Sequence, residues 1–419
     1  MNNNDQSLPI AIIGAGIVGV STAIWCQRAG LRTILIDREG PASGTSFGNA
    51  GVLASASVVP VTVPGLIAKA PRMLLDKKQP LFLNWSYLPT LMPWLTRYLS
   101  HCKPEVVARI ASALNPILSN SLEDHQALAA GTGAEKFISP AEYVYVYKDR
   151  AHFESDKFGW QVRKDNGFTW TEYEGDAWNK HDPVFNNTQK FAASVHNHGR
   201  ISDPGCYVQQ LARHFEDNGG KIIQATVEGL ADNNGQVSGV RTTTETIACS
   251  AAVIAAGAWS KPLLGELGCD IPLEAERGYH IELYEPSAMP RMPSMIAAGK
   301  FVMTPMDGRL RIAGMVEFGG LVAGANRAPI DYLKNYIHQV IPGLKWTETT
   351  EWLGHRPAPV DSVPVIGEAP AMKGAFMGFG HQHVGLTGGA RTGQLLAQLV
   401  SGQTPEIDMT PYSPLRFNA

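Results

Sequence analysis

The chain has 419 residues, 44% hydrophobic and 17% charged, enough material for two or three domains' worth of core. Its formal net charge is −3 with no basic block, which argues against a nucleic-acid partner. Five cysteines (Cys26, Cys102, Cys206, Cys249, Cys269) are odd in number, widely spaced and lack a C-x-x-C pair, so neither a disulfide framework nor a zinc site is expected and a reducing, cytoplasmic setting is the simplest.

The first predicted elements form a βαβ unit. "PIAIIGAG" (9–16) reads as a buried strand ending in a glycine turn, "IVGVSTAIWCQRAG" (17–30) as a helix stopped by Gly30, and "RTILID" (32–37) as a second strand. That order calls for a right-handed crossover and a parallel sheet. The apolar run 10–26 mimics a signal or membrane segment, but the preceding "MNNNDQS" carries no positive charge. Inside the run, "GAGIVG" puts Gly14, Gly16 and Gly19 after a strand and at a helix start. Gly14 allows a tight turn, Gly16 lets a pyrophosphate approach the backbone, and Gly19 permits close helix packing. The helix N-terminus at Ile17 and Val18 offers free N–H groups to phosphate. Asp37 ends the second strand where a ribose 2′-OH would lie, and its charge disfavours a 2′-phosphate despite neighbouring Arg38.

Residues 58–104 are punctuated by prolines and rich in aromatics, a packed insertion too apolar to be a linker. Residues 105–175 read as mainly helical, then mixed. Asp203 and Pro204 open a helix that ends at Gly219-Gly220. "KIIQATVEGL" (221–230) and "SAAVIAAGAWS" (250–260) read as strands of the returning parallel pattern. Residues 276–317 alternate like antiparallel strands, with a hairpin signal at Asp307-Gly308. "GHRPAPVDSVPVIG" (354–367) reads as a stiff proline-rich loop around Arg356. The chain closes with strand "AFMGFG" (375–380), loop "HQHVGLTGG" and helix "ARTGQLLAQLVSG".

The glycine fingerprint, "SGTSFGNAGVL" (43–53), "AAVIAAGAWS" (251–260), "ERGYHI" (276–281), "GHRPAPVDSVPVIG" and "GHQHVGLTGGARTGQLLAQLVSG" (380–402) come in the order of the D-amino-acid oxidase superfamily. Over about residues 9–403 the chain most resembles its bacterial D-amino acid dehydrogenase branch. The resemblance implies an α/β Rossmann-type FAD-binding domain assembled from three stretches (1–57, 196–274, 354–419). It implies an α+β substrate domain with an antiparallel sheet (58–195, 275–353). The FAD is expected to be non-covalent. Thr45, Ser46, Asn49, Ala50 and Gly51 would lie along the pyrophosphate, ribitol and isoalloxazine, Val227 at the adenine, and Ala256 and Gly257 near the phosphates. His383 and Val384, Gly385, Leu386 and Thr387 would bring a helix N-terminus to the flavin pyrimidine, where its dipole stabilises a reduced flavin.

A guanidinium binds a carboxylate bidentately, so Arg356 is expected to hold the substrate carboxylate. Tyr279 shares parity with Ile281 and Leu283 and is the second candidate for that carboxylate; His381 falls in the pocket region. The pairs His196/His198 and His381/His383 alternate, but no cysteine or carboxylate cluster completes a site, so no metal is expected. The chain departs from the dehydrogenase branch at His355, at Gln382 and His383, and at "VDS" (360–362) in place of Pro-Asp-Gly. The implied reaction is oxidative deamination of a D-amino acid to a 2-oxo acid and ammonia. Two alternatives are an oxygen-using oxidase of glycine, proline-like or N-methyl amino acids, and a non-catalytic flavin-binding subunit. The electron acceptor stays open between quinone and oxygen. The insertion 58–104 reads as a cap, with peripheral membrane contact as its other role.

Overall fold

The structure, a computed structural model, describes residues 8–68, 81–185 and 188–417. Residues 69–80 of the predicted insertion lie outside them. The first layer is a six-stranded sheet in the order β18-β19-β12-β1-β2-β8. Its strands are β1 (Ile10–Ile13), β2 (Thr33–Asp37), β8 (Lys221–Gln224), β12 (Ala251–Ile254), β18 (Val365–Glu368) and β19 (Ala375–Phe379), so three separate stretches of chain build it. All pairings are parallel except β18 with β19. Alternate residues serve two cores, as a sheet covered on both faces requires. Ile10 and Ile12 pack against helices, whereas Ala11 and Ile13 pack against a small sheet of β9 (Val227–Asn233), β10 (Gln236–Thr242) and β11 (Thr246–Ala248).

The helical layer contains α1 (Ile17–Arg28), α2 (Leu88–Leu99), α3 (Pro104–Leu118), α4 (Ser121–Ala129), α5 (Pro204–Asp217), α6 (Arg327–Val340) and α7 (Gly385–Val400), of which α2 and α6 serve the second sheet. Asp203 caps α5 as expected, its side chain accepting from Cys206 N. Helices α1 and α7 cross at near-backbone contact. A Cβ on Gly389 would lie 2.8 Å from the Ile17 side chain, and one on Gly393 would lie 2.2 Å from Ser21 Oγ, which donates to Ala390 O.

The second layer is a ten-stranded sheet, mostly antiparallel, with the path β17-β13-β16-β15-β14-β5-β7-β3. Its members are β3 (Val52–Leu53), β4 (Leu81–Leu83), β5 (Ile138–Tyr147), β6 (Trp170–Glu174), β7 (Phe191–Ile201), β13 (Leu273–Tyr284), β14 (Ser294–Ile296), β15 (Phe301–Met306), β16 (Arg309–Phe318) and β17 (Glu348–Pro359). The Asp307-Gly308 hairpin joins β15 to β16, with Gly308 at φ +68°. Helix α6 covers one face through Ile330, Leu333 and Ile337 against Ile281, Leu283 and Ile312. Helix α2 caps another end through Leu91, Trp94 and Tyr98 against Phe318 and Ala358.

Three expectations need correction. The segment expected as a loop around Arg356 is strand through Pro359, and β17 crosses the expected domain boundary at residue 354. It is an edge strand, and Pro357 and Pro359 share the parity whose missing N–H groups face away from β13. "KIIQATVEGL" divides between two sheets at 225–226. Most of "HQHVGLTGG" is helical, because α7 begins at Gly385. The apolar run 10–26 divides into β1 and α1, and no helix among the described residues is long and apolar enough to cross a membrane.

The two layers are joined by buried charge. Arg311 donates from Nε to Glu282 Oε1 (3.0 Å) and from Nη1 to the carbonyls of Phe47 and Asn49. Arg309 bonds Glu282 and Asp203, each at 2.7 Å. Burial alone would raise the Glu282 carboxyl, but Arg311 and Arg309 outweigh it and hold it at about 2. Its stabilising contribution is thus present above the ordinary carboxylate pKa and fades as pH falls toward 2. Arg311→Leu should lower stability by about 3–5 kcal/mol, because a buried carboxylate loses a partner and loop 47–49 its anchor. Thermal unfolding of the holoprotein measures this; a loss below about 1 kcal/mol would mean that Arg311 does not carry the junction.

Candidate functional site

A cleft runs from the C-terminal ends of β1 and β2 to the start of α7. At its first end the turn after β1 is shaped by glycine. Gly14 has φ +107°, and a Cβ there would lie 2.5 Å from Ala255 O. Gly19 sits behind the turn, where a Cβ would meet Gly14 O at 1.8 Å, so the helix could not approach. Gly16 and Val18 line the cleft with Ile17, but the Ile17 N–H is occupied by Ser46 Oγ at 2.9 Å. The Ile17 N–H, expected to be free for phosphate, is therefore already engaged. Asp37 accepts from Ala15 N (2.8 Å), Glu39 N (2.8 Å) and Gly40 N (3.0 Å). A carboxylate has about four acceptor positions, so one remains for a ribose hydroxyl. Val227, Ala256 and Gly257 line the same end, joined by Trp259, which the sequence reading missed. The Arg38 guanidinium lies 4.3 Å from the Trp259 ring centroid.

Midway, Thr45 Oγ1 donates to His355 O (2.9 Å), tying the 43–51 loop to β17. Asn49 lines the cleft and its Oδ1 accepts from Gly51 N (2.9 Å). Ala50 packs into the aromatic cluster behind the wall, and Gly51 lies against Ile201 O, where a Cβ would come to 2.6 Å. At the far end Gly385 and Leu386 line the cleft at the start of α7, where the helix dipole is positive. Val384 is core, and the Thr387 hydroxyl turns away to Ala54 N (3.2 Å) and Val52 O (3.4 Å).

The groove therefore fits an extended dinucleotide cofactor: a glycine turn without side chains, a carboxylate with a spare acceptor, and a helix N-terminus at the opposite end. His381 lines it, with Nε2 paired to Thr392 Oγ1 at 2.8 Å and burial holding its pKa down at about 4. His383 is exposed and does not line the cleft. His198 accepts from Ala56 N (3.1 Å) and His196 lies by Thr171 (2.8 Å), so that pair diverges. No group of three His, Cys, Asp or Glu among the described residues is placed to hold a metal ion.

Arg356 lies opposite Glu276 in register, next to Pro357, which lines the cleft. Its guanidinium rests flat on Gly278, where a Cβ would come within 2.2 Å of Nη2. Nη1 donates to Glu276 Oε1 (2.7 Å) and Met315 O (2.9 Å), and Nη2 to Gly314 O (3.1 Å). Of five guanidinium N–H groups, Nε–H and one on Nη2 keep no acceptor among the described residues. Glu276 also accepts from Gln382 Nε2 (3.1 Å), and Gln382 lines the cleft. Glu276 was not expected, whereas Gln382 was noted only as a departure from the dehydrogenase branch.

Tyr279 is not part of this cluster. Its predicted parity holds, but that face of β13 looks toward α6 and not toward Arg356. Its hydroxyl donates to Glu317 and accepts from Asn326 N (3.0 Å). Burial and the Glu317 hydrogen bond push it up to about 12. The structure thus corrects Tyr279 from a substrate contact to a member of a buried network with the Arg277–Glu317 pair (3.1 Å).

Comparison with known proteins agrees with this geometry. Residues 9–399 match the DAO family, described as FAD dependent oxidoreductase. A D-amino-acid oxidase of Bradyrhizobium diazoefficiens is 40% identical over 97% of this chain and 98% of its own. A D-amino acid dehydrogenase of Rhizobium rhizogenes is 27% identical over 98% of this chain and 100% of its own. The crystal structure of glycine oxidase from Geobacillus kaustophilus superposes with TM-score 0.74 at 20% identity, covering 98% of this chain and 99% of that one, and so shares the fold. The glycine turn, the cleft and these likenesses together place the chain in the DAO family of FAD-dependent oxidoreductases.

Proposed function

We propose that the protein oxidises a D-amino acid at Cα, releasing an imino acid that hydrolyses to a 2-oxo acid and ammonia. Arg356 is the observation that carries the reading. Its guanidinium is anchored by Glu276 and two backbone carbonyls, yet retains two N–H donors beside the cleft-lining Gln382. That is a preformed receptor for a carboxylate, with the ordering cost already met by the fold. The D configuration is supported by the likeness to the Bradyrhizobium oxidase and the Rhizobium dehydrogenase.

When bound, FAD supplies the two-electron acceptor for the Cα hydrogen. The chain's own residues do the positioning. Gly14, Gly16 and Asp37 hold the nucleotide end, and the start of α7 offers positive potential at the other. Arg356 fixes the carboxylate and so the direction of the Cα–H bond. Helix α2 brings Tyr98 over this end, its hydroxyl accepting from Gln382 Nε2 at 3.3 Å, which narrows access for water.

Anaerobic mixing with both enantiomers of the common amino acids tests the reaction. Bleaching of the yellow protein by D-amino acids supports it, and bleaching by none would leave only a flavin-binding role. Reoxidation of the bleached protein by air or by a soluble quinone then separates the two acceptors.

Three further outcomes are expected. Acid precipitation should release all the yellow colour, because no cysteine occurs in 43–53 or 380–387 and His381 is engaged by Thr392; colour in the pellet would mean a covalent link. Asp37→Ala should raise the FAD dissociation constant by about tenfold to a hundredfold, from loss of a charged hydrogen-bond acceptor. An unchanged constant by fluorescence titration would remove Asp37 from the cofactor site. Arg356→Lys keeps the charge but loses the planar fork, so kcat/KM should fall by about tenfold to a hundredfold with FAD content near normal. Wild-type kcat/KM in that variant would reduce Arg356 to a brace of the sheet.

A further inference from the structure

We propose that Glu276 sets the charge specificity of the substrate site, so that it admits zwitterionic amino acids and rejects those with a second carboxylate. The inference rests on the reading of Arg356 as the substrate clamp. Glu276 is almost fully buried, with a side-chain exposure of 3%, and its Oε1 lies 2.7 Å from Arg356 Nη1. The clamp therefore carries no net charge before substrate arrives. An amino acid zwitterion is also neutral and brings one anionic and one cationic group into the space beside it. A dicarboxylate brings an anion for which no partner remains, close to a fixed carboxylate in a water-poor site.

Two observations argue that Glu276 is more than a brace for Arg356. The guanidinium is already anchored by Met315 O and Gly314 O and seated on Gly278, so neutral acceptors hold it on both Nη atoms. Burying a carboxylate there adds a desolvation penalty that positioning alone does not require. The carboxylate is also oriented with care. Its Oε2 accepts from Gln382 Nε2 (3.1 Å), which also reaches Tyr98 OH (3.3 Å) on the cap helix. Gln382 holds a left-handed backbone at φ +49°, a conformation that costs a non-glycine residue energy and persists where surrounding contacts enforce it. His383, the other basic group here, is exposed and outside the cleft lining, so solvent screens any charge it carries from Glu276. Arg277 is committed to Glu317 on the opposite face of β13.

The test compares a monoanion with a dianion, with and without the Glu276 charge. Calorimetric titration of the holoprotein with propanoate and with succinate gives a ratio of dissociation constants free of turnover. The ratio of kcat/KM for D-alanine over D-glutamate gives the same quantity during reaction. The wild type should favour propanoate and D-alanine, each by tenfold or more. Glu276→Gln keeps an oxygen for Arg356, and the Gln382 amide can turn to present its own oxygen. In that variant both ratios should fall at least tenfold. Glu276→Asp keeps the charge and should retain the wild-type preference. Succinate binding to the wild type as tightly as propanoate would overturn the proposal, and this holds even if the variants fail to fold. So would unchanged ratios in Glu276→Gln, or equal relaxation in Glu276→Asp. Failure of the underlying reading looks different: D-alanine would not bleach the wild type, or Arg356→Lys would leave its kcat/KM intact.

Discussion

The molecule works as one piece because a buried guanidinium spans the seam between its two sheets. Arg311 belongs to β16 of the antiparallel sheet, but its Nη1 group donates to the carbonyls of Phe47 and Asn49, in the loop that walls the cofactor cleft. Glu282 on β13 balances it and is shared with Arg309, which reaches across to Asp203 at the cap of α5. A hydrophobic seam could hold two layers together, but it would let them slide. Charged hydrogen bonds have narrow angular limits. They fix the spacing between the loop that walls the cleft and the sheet that carries Arg356. Such a junction is retained for geometry more than for net stability, since a buried ion network barely repays its desolvation.

What was legible in the sequence was what depends on neighbours along the chain. Gly14, Gly16, Gly19 and Asp37 fall within a single βαβ unit, and the structure places them as their spacing implied. The Asp307-Gly308 hairpin is local for the same reason. The failures are all long-range. Pro357 and Pro359 suggested a loop because a proline removes a donor; on an edge strand with outward parity that donor is not needed. Gly385, Gly388 and Gly389 suggested a loop because glycine favours turns. In α7 those at 388 and 389 serve instead to admit Ile117 and Ile17 at contact distance. Tyr279 had its strand parity read correctly, but parity does not say which face meets the cleft. Glu276 was invisible for a related reason: its partner Arg356 is 80 residues away, and only the β13–β17 register brings them together.

The same register explains how a site with so few polar groups can be specific. Glu276, Gly278, Gly354 and Arg356 form a small patch on adjacent strands, and Gly278 lacks a side chain so that the guanidinium can lie flat on it. The rigidity comes from the sheet, and the site inherits it. Trp352 stacks on His280 at 5.1 Å beside that patch, and its ring leaves no space for a side chain on Gly48 or Gly354. The 43–51 loop and β17 thus meet at Thr45 with His355 and at Gly48 with Trp352.

The discontinuous parallel sheet also has a consequence in time. β1 finds one neighbour, β2, almost at once, but its other neighbour pairs Ile10 with Ala251, and that strand in turn pairs Ala252 with Ala375. At a synthesis rate of about 5–20 residues per second, about 20–70 s separate the emergence of Ile10 from that of Ala375. β1 carries an open edge until Ala251 emerges, and β12 carries one from then until Ala375 does, the kind of surface that pairs with the wrong strand when left uncovered. The nascent chain therefore has to keep these edges sheltered, and the groove for the cofactor closes only when α7 arrives to cross α1.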